Sequence, residues 1–241
     1  GVNLNWEDYF GKVAHIALPK YAWNKKVYWT ETERSVRYRL PHDGHPMVSR
    51  SMTVPTLSWF VDLHASALPY IQDHQVAGSI LFPGAGHVEL GLGLACDQNG
   101  IDLSIPVKDR TQTGVTLEDI EFLAPALAPQ EEMATLQAKP DTEQQSYKVF
   151  YQRADSQSVV CAQGRYFSGG SQPEPVDMIE LGSRFDETWG KETLYDALAQ
   201  RGLVYGPAFQ SVESIAFRPD EVLANIELME GIDSKGYLLH P

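Results

Sequence analysis

Short apolar runs, separated by proline, glycine and polar clusters, mark the central part of the chain. Residues 52–63 and 78–82 are rich in Val, Ile, Leu, Phe and Trp, a composition typical of strands. The polar stretch between them, residues 70–77, is predicted to be a connection. Four further strands are predicted at residues 115–123, 133–138, 147–152 and 159–167.

A helical pattern lies between the two groups of strands. After Pro83, apolar residues recur on one face at Val88, Leu90, Leu94 and Ala95, which predicts a largely buried helix of about three turns. Its glycines lower helix propensity but allow a sheet to approach closely. A strand, a buried helix and then a meander of antiparallel strands indicate an α+β fold.

The last third of the chain has a similar but smaller pattern. Residues 168–177, SGGSQPEPVD, have the composition of a linker. An amphipathic stretch at 191–200 predicts a helix that stops at Gly202, and residues 211–217 and 221–228 predict a strand pair. Because isolated hairpins are marginal in water, we expect this part to pack on the first part or to belong to a longer domain.

Composition and charge narrow the class of protein. The chain has 241 residues, 43% of them hydrophobic, which is ordinary for a soluble globular protein of one large or two small domains. The 19 Lys and Arg against 32 Asp and Glu give a formal charge of −13. Such a chain repels a phosphate backbone, so no nucleic-acid partner is expected.

The sequence predicts neither export nor membrane insertion. The first ten residues are acidic where a signal peptide has a basic start and an apolar run, and no window approaches the ~20 apolar residues of a membrane span. Cys96 and Cys161 lie in apolar stretches without a CxxC neighbour. This pattern favours a reducing, cytoplasmic location.

One constellation of residues suggests chemistry. His74 precedes Gly78 and an apolar run, and Pro83 stands directly before the predicted buried helix. This spacing places an imidazole in a loop near the helix N-terminus, where backbone N–H groups favour developing negative charge. A base beside an oxyanion site is what proton abstraction next to a carbonyl requires. The alternative is that His74 is a structural or surface histidine.

The other histidine patterns predict no metal site. His42 and His45 flank Asp43, yet no set of Cys or carboxylate residues with ligand spacing accompanies them. His87 and Glu89 in the predicted helix do not complete an HExxH motif.

The spacing of His74, Gly78 and Pro83 resembles the HxxxGxxxxP motif of the dehydratase domains of modular polyketide synthases, which are related to the dehydratases of fatty acid synthases. Residues 44–48, GHPMV, look like the opening HP-containing strand of those domains. Residues 202–210, GLVYGPAFQ, resemble their GYxYGPxF motif, with a leucine at the first tyrosine.

The resemblance extends over the whole chain and implies its organisation. Residues 1–40 look like the linker that follows an acyltransferase domain, and the rest looks like a double hot-dog fold with an incomplete second half. The implied boundaries are 41–167 for the first hot-dog half, 168–178 for the linker between the halves and 179–241 for the second half.

The resemblance also implies an activity, the dehydration of a 3-hydroxyacyl thioester on the phosphopantetheine arm of an acyl carrier protein. His74 would be the catalytic base, and no metal or cofactor of the protein's own is implied. The substrate-binding residues would be Gly78, Pro83, Gly84, Tyr205, Gly206 and Pro207. The alternative for Tyr205 and the turn after it is a packing tyrosine in a tight turn.

The acid of the reaction has no clear counterpart. In the family it is an aspartate that follows an HP-type sequence, and residues 239–241, LHP, look like this lead-in. Asp73, Asp220 and Asp233 lie in other contexts. We therefore expect the domain to continue past Pro241.

Two alternatives stay open beside the dehydratase. A double-bond isomerase or ring-forming variant would use the same base, and a non-catalytic dehydratase-like module would serve as a scaffold. The expected partners are an acyl carrier protein, the neighbouring synthase domains and a second copy in a homodimer.

Overall fold

The computed structural model describes residues 5–11, 45–50, 58–102, 114–129, 134–153, 157–170, 174–229, 231 and 236–241. Contacts divide the chain into two compact units, residues 1–32 and 33–241. The first contains a short helix, α1 (Trp6–Phe10), whose N-terminus is capped by Asn5. Three predictions fall outside the described residues: most of the acyltransferase-type linker, residues 52–57 of the first predicted strand, and Asp233.

The described residues of the second unit form ten segments of strand or helix up to residue 168 and seven after it. In chain order they are β1 (Ser49–Arg50), β2 (Trp59–Asp62), a first 3₁₀ turn (Pro69–Asp73), β3 (His74–Val76), β4 (Ser79–Ile80), α2 (Gly84–Gln98), β5 (Val115–Phe122), β6 (Ala134–Asp141), β7 (Ser146–Arg153), β8 (Val159–Ser168), α3 (Met178–Gly182), β9 (Glu187–Gly190), α4 (Lys191–Gln200), β10 (Leu203–Tyr205), a second 3₁₀ turn (Pro207–Phe209), β11 (Val212–Arg218) and β12 (Glu221–Ile226).

A six-stranded antiparallel sheet, in the order β1-β2-β6-β7-β8-β5, packs against the 15-residue helix α2. Two helix glycines make this packing possible. A Cβ on Gly91 would lie 2.5 Å from the Tyr147 hydroxyl, and one on Gly93 would lie 2.6 Å from the Trp59 ring. The prediction that the glycines admit a closely packed sheet is therefore confirmed.

The core lies between this sheet and α2. Leu90 and Leu94 on the helix, together with Leu136 and Val149 on the sheet, are completely buried. Burying one such side chain contributes about 1.5–3 kcal/mol relative to leaving it exposed. The hydrophobic contacts between α2 and the sheet thus stabilise the scaffold that carries the first 3₁₀ turn and β3.

Two small sheets complete the described part of the second unit. One is β12-β11-β9, against which α4 packs, and the other is β10-β3-β4. The second of these joins distant parts of the chain, since β10 pairs with β3. The expectation that the last third of the chain leans on the first part is thus confirmed.

The predicted strands of the central meander and of the C-terminal pair are present, with ends shifted by a few residues. Residues 70–77 are not a simple connection, because they form the first 3₁₀ turn and β3. The predicted strand at 78–82 shrinks to β4 and a single bridge between Leu81 and Leu127. The helix after Pro83 is about four turns long, and α3, β9 and β10 were not predicted.

Candidate active site

His74 stands where the first 3₁₀ turn passes into β3, so it lies in a strand rather than in the predicted loop. The sequence HQV lacks the alternation of apolar and polar residues that is typical of a strand. The local sequence pattern therefore did not predict β3. The strand exists through pairing with β10, in which Tyr205 lies opposite His74 and Leu203 opposite Val76. The pairing brings two of the predicted site residues together.

The protonation of His74 follows from its hydrogen bond. Its Nδ1 lies 2.9 Å from the carbonyl oxygen of Leu81. A carbonyl only accepts, so Nδ1 carries the proton and Nε2 is the unprotonated nitrogen of a neutral ring. Burial lowers the pKa of His74, an effect opposed by hydrogen bonds to backbone carbonyls. At neutral pH the imidazole is therefore able to accept a proton at Nε2.

Aromatic rings flank this imidazole. The Tyr205 ring stacks on His74 at a centroid distance of 5.2 Å, and the Phe209 ring packs at 5.0 Å. Burial also raises the pKa of Tyr205, so its hydroxyl stays protonated at neutral pH. The two rings restrict the orientation of the imidazole and reduce its contact with water.

Gly206 and Pro207 shape the connection that carries Phe209. The Gly206 N–H donates to the carbonyl of Asp73 at 2.8 Å, and the Ala208 N–H donates to Oδ2 of Asp73 at 2.9 Å. A Cβ on Gly206 would collide with the Asp73 side chain, so any residue other than glycine requires that side chain to move. Pro207 begins the second 3₁₀ turn, where a missing N–H does no harm. These contacts give both residues a conformational role beside His74.

Gly78 lies at the exposed end of the β3–β4 hairpin. Ala77 and Gly78 have φ angles of 48° and 77°, the positive values of a two-residue hairpin turn. Nothing would lie within 4 Å of a Cβ on Gly78. The positive φ angle of Gly78 therefore explains why a glycine stands here. Substrate binding by Gly78 stays a prediction.

Pro83 and Gly84 lie at the start of α2, as predicted. Pro83 is the N-cap, and its carbonyl accepts from the N–H groups of Gly86 and His87. Leu81, whose carbonyl oxygen lies 2.9 Å from His74 Nδ1, stands two positions before Pro83. The imidazole and the helix N-terminus are thus both joined to the short backbone segment from Leu81 to Gly84.

A cavity of about 270 Å³ opens beside the helix start. It is lined mainly by apolar residues of α2, β5 and the segment after β5, with Gly84 the predicted site residue among them. His87 also lines it and is held between the rings of Phe82 and Phe122. Burial lowers the pKa of His87 to about 4, so this imidazole is neutral and uncharged at neutral pH.

A buried polar cluster that was not predicted from the sequence lies next to this site. Glu89 on α2 is fully buried and accepts hydrogen bonds from His45 and from the N–H groups of Leu238 and Leu239. A signal was present, because a carboxylate in the middle of an apolar helical face needs buried donors. The pattern did not reveal which donors these are, since they lie far away in the chain.

Across the described part of the chain, no helix has the length and apolar character needed to cross a membrane.

Two family models match the chain. One is described as the polyketide synthase dehydratase domain and matches residues 45–152. The other is described as the polyketide synthase dehydratase N-terminal domain and matches residues 173–241. Together they cover most of the second unit.

Curated proteins similar to the chain are large synthases. A mycoketide-CoA synthase of Mycobacterium tuberculosis is 27% identical over 254 residues, covering 100% of this chain and 6% of the relative. The polyketide synthase GfsE of Streptomyces halstedii is 27% identical over 262 residues, again covering 100% of this chain and 6% of the relative. The chain thus spans a small fraction of the length of these relatives.

Solved structures of dehydratase domains share the fold. The domain from the CurF module of curacin polyketide synthase has a TM-score of 0.67 at 20% identity, covering 82% of this chain and 72% of that one. A dehydratase studied for substrate selection in the borrelidin and fluvirucin synthases has a TM-score of 0.62 at 26% identity, covering 82% and 70%. The predicted α+β, double hot-dog fold class is therefore confirmed.

The dehydratase of the CurK module of the same curacin synthase has been solved as two inactive mutants. In one a histidine is replaced by phenylalanine, and the match has a TM-score of 0.66 at 20% identity, covering 81% of this chain and 69% of that one. In the other an aspartate is replaced by asparagine, with a TM-score of 0.65 at 22% identity and coverage of 81% and 70%.

Proposed function

The chain belongs to the polyketide synthase dehydratase family, and from this membership we propose that it is the dehydratase of a modular type I polyketide synthase. It would eliminate water from a 3-hydroxyacyl thioester carried on the phosphopantetheine arm of an acyl carrier protein, leaving an α,β-unsaturated thioester. The observation that carries the proposal is the 2.9 Å contact between His74 Nδ1 and the Leu81 carbonyl oxygen, which leaves Nε2 free to accept a proton when the ring is neutral.

In the proposed reaction, Nε2 of His74 removes a proton from C2 of the substrate. The electrons of the C2–H bond form the C2–C3 double bond, and the C3–O bond breaks. The departing hydroxyl takes a proton from an acid and leaves as water. The thioester carbonyl already acidifies C2, so the proposed step needs no metal or cofactor of the protein.

The start of α2 is proposed to stabilise the thioester oxygen during this step. Negative charge develops there when C2 loses its proton, and N–H groups at a helix N-terminus favour such charge. Pro83 and Gly84 begin that helix. Tyr205, with the turn of Gly206 and Pro207, is proposed to form the wall that keeps the acyl chain beside His74, a role supported by the stacked Tyr205 ring.

The acid is proposed to be a carboxyl group other than those weighed from the sequence. The Asp73 carboxylate accepts from the Ala208 N–H, which gives it a capping role in the second 3₁₀ turn. Asp220 lies 3.4 Å from the guanidinium of Arg218 at the exposed β11–β12 turn. In the CurK dehydratase, replacing an aspartate inactivates the enzyme, which supports an aspartate as the missing partner of His74.

The partners follow from the same proposal. The relatives are polyketide synthases, so neighbouring synthase domains are expected around this chain. With a formal charge of −13, the chain is not expected to attract an acidic carrier protein by long-range forces, and tethering within one polypeptide would replace affinity by effective concentration. We further propose a homodimer and a cytoplasmic location.

The direct test is His74→Ala, assayed with a 3-hydroxyacyl carrier-protein substrate and mass spectrometry for the loss of one water. Turnover should fall by about 10²–10⁴-fold, the usual contribution of a general base, with the circular dichroism spectrum unchanged. The matched control is His64→Ala, because His64 is exposed and contacts Ser66. Full turnover by a folded His74→Ala protein would overturn the assignment of the base.

Product analysis separates the dehydratase from the alternatives. A product that is isomerised or cyclised without losing water would favour the variants that use the same base differently. Carrier-protein binding without any chemistry would favour the scaffold. The matched families and structures are dehydratases, which supports neither alternative.

A further inference from the structure

Glu89 forms a buried hydrogen-bonded cluster that the proposed reaction does not use. Its Oε1 accepts from His45 Nε2 and from the Leu238 N–H, each at 2.8 Å, and its Oε2 accepts from the Leu239 N–H at 2.6 Å. The residue has no exposed surface. A buried carboxylate is costly unless donors satisfy it, so these three N–H groups determine how the segment containing Leu238 and Leu239 lies against α2.

The proton positions in this cluster are determined by the backbone. The Met47 N–H donates to Nδ1 of His45 at 3.3 Å, so that nitrogen is the acceptor of a neutral ring. Nε2 then carries the hydrogen and donates it to Glu89. Within the described residues, the Glu89 carboxylate is therefore contacted by three N–H donors. A side chain with only one acceptor oxygen does not match these donors.

The segment held by Glu89 packs on the 3₁₀ turn that leads to His74. Its Tyr237 hydroxyl lies 3.5 Å from the Tyr70 hydroxyl, and the His240 ring lies 5.4 Å from the Tyr70 ring. Tyr70 belongs to the first 3₁₀ turn, which ends at the residue before His74. Tyr237 and His240 thus contact the turn whose last residue precedes His74.

Tyr70 is also connected to His74 through the ring of Phe209. The Tyr70 ring lies 6.1 Å from the Phe209 ring, and Phe209 lies 5.0 Å from His74. Tyr70 therefore connects the segment held by Glu89 both to the turn before His74 and to one of the rings that flank it.

We propose that Glu89 is a positioning residue for His74: together with His45 it fixes residues 237–241 against Tyr70, and Tyr70 holds the turn and the ring that orient the imidazole. Its effect on turnover rests on the proposed function, whereas its effect on the environment of His74 does not. Glu89 itself is not proposed to touch the substrate.

The test is Glu89→Gln in the intact protein, with two readouts. The first is the titration of His74, followed by NMR of its labelled imidazole. Glutamine has one acceptor oxygen and presents an NH₂ group to a backbone N–H, so residues 237–241 should loosen and water should reach His74. Since burial is the main cause that lowers its pKa, the pKa of His74 should rise toward its ordinary value.

The second readout is the kinetics of elimination. A misplaced base lowers kcat more than it raises KM, and the expected loss in kcat is about 10–100-fold. The matched control is Glu121→Gln, because Glu121 is exposed on β5 and accepts a hydrogen bond from Gln163. This control should match the wild type in both readouts.

Two substitutions at His45 keep the proposal testable if Glu89→Gln does not fold. His45→Phe removes one donor to Glu89 but keeps a ring against Trp59 and Tyr237, so it should shift the His74 titration in the same direction by less. His45→Gln restores an N–H donor to Glu89, so the pKa of His74 should lie closer to the wild-type value than it does in His45→Phe. A folded Glu89→Gln or His45→Phe protein with the wild-type titration of His74 would overturn the proposal. A wild-type protein that shows no elimination would overturn the proposed function alone.

Discussion

Two parts of the second unit use the same materials, an antiparallel sheet and one helix, and reach different degrees of burial. In residues 45–170, six strands pack against the 15-residue helix α2, and side chains such as Leu94 and Leu136 are completely buried. In residues 174–229, three strands pack against the ten-residue helix α4, and every described side chain there is half-buried or exposed.

The contrast shows what a helix needs in order to be enclosed by a sheet. Helix α2 has glycines at the positions where aromatic rings of the sheet meet it, so the two layers approach closely. Helix α4, with the sequence KETLYDALAQ, has no glycine. It is joined to its surroundings by polar contacts, as when the Tyr195 hydroxyl donates to the Phe209 carbonyl and accepts from the Val212 N–H. The first part is therefore stabilised by its core, and the second more by its junctions.

The largest difference between the two parts should appear on truncating a leucine in each helix. Leu94→Ala should lower the free energy of unfolding by about 2–5 kcal/mol, because it leaves a cavity in a closely packed core. Leu198→Ala, at a half-buried position on α4, should cost about 1 kcal/mol. Urea unfolding followed by circular dichroism measures both. Equal losses would show that α4 is as well enclosed as α2.

A buried imidazole should make the stability of the first part depend on pH. The folded-state pKa of His87 is about 4, below the ordinary value of 6.5, so the unfolded chain binds a proton more readily than the folded one. The free energy of unfolding should therefore fall as the pH drops from about 6.5 to about 4, by about 3 kcal/mol in total.

His87→Phe isolates this effect. Phenylalanine retains an aromatic ring between Phe82 and Phe122 but does not titrate, and it removes an Nδ1 that has no hydrogen-bond partner within the described ranges. Over this pH range the variant should lose about 3 kcal/mol less stability than the wild type. Parallel pH profiles of urea unfolding would contradict the predicted pKa shift.

An added Cβ should destabilise the protein more at Gly206, where the two parts meet, than at Gly190 in the three-stranded sheet. Gly206→Ala adds a Cβ that collides with the Asp73 carboxyl group, so it should cost about 1–3 kcal/mol and disturb the His74 resonances in NMR. Gly190→Ala is the matched control, because nothing lies within 4 Å of its Cβ position. Identical thermal unfolding of the two variants would show that the carboxyl group moves aside freely.

The smallest effect is expected for the ion pair between Glu180 on the exposed helix α3 and Arg184, which lies just after the end of that helix. Arg184 lies 3.0 Å from Glu180, one helical turn away, and both side chains are largely exposed. Arg184→Ala should lower the free energy of unfolding by about 0.3–0.5 kcal/mol at low salt and by less at high salt. A loss above about 1 kcal/mol would mean that α3 is packed more firmly than its exposure indicates.

Strongly periodic segments were predictable from the sequence. The meander of β5 to β8, the helix over residues 191–200 and the proline before α2 all appear where apolar spacing and breaker residues placed them. In these segments local preference and tertiary packing agree. The resemblance of His74, Gly78 and Pro83 to a family motif added the fold class, which the structural comparisons confirm.

Elements made by long-range pairing were not predictable in the same way. Strand β3 has the polar sequence HQV and gains its hydrogen bonds from β10, so nothing within a short window marks it as a strand. The cluster around Glu89 depends on Leu238 and Leu239, which lie about 150 positions away. The sequence therefore pointed to His74 as a candidate base but left its surroundings undetermined.

The contact between Asp73 and Ala208 affects when the site can form during folding. The two residues lie 135 positions apart, so a very long loop must close before the hydrogen bond exists. The hairpins of β6, β7 and β8 involve short separations and can assemble earlier. On a ribosome, the imidazole of His74 would emerge long before Tyr205 and Phe209. The environment that prepares His74 to accept a proton is thus completed late. A nascent chain would form the β6–β8 sheet before it forms the surroundings of His74.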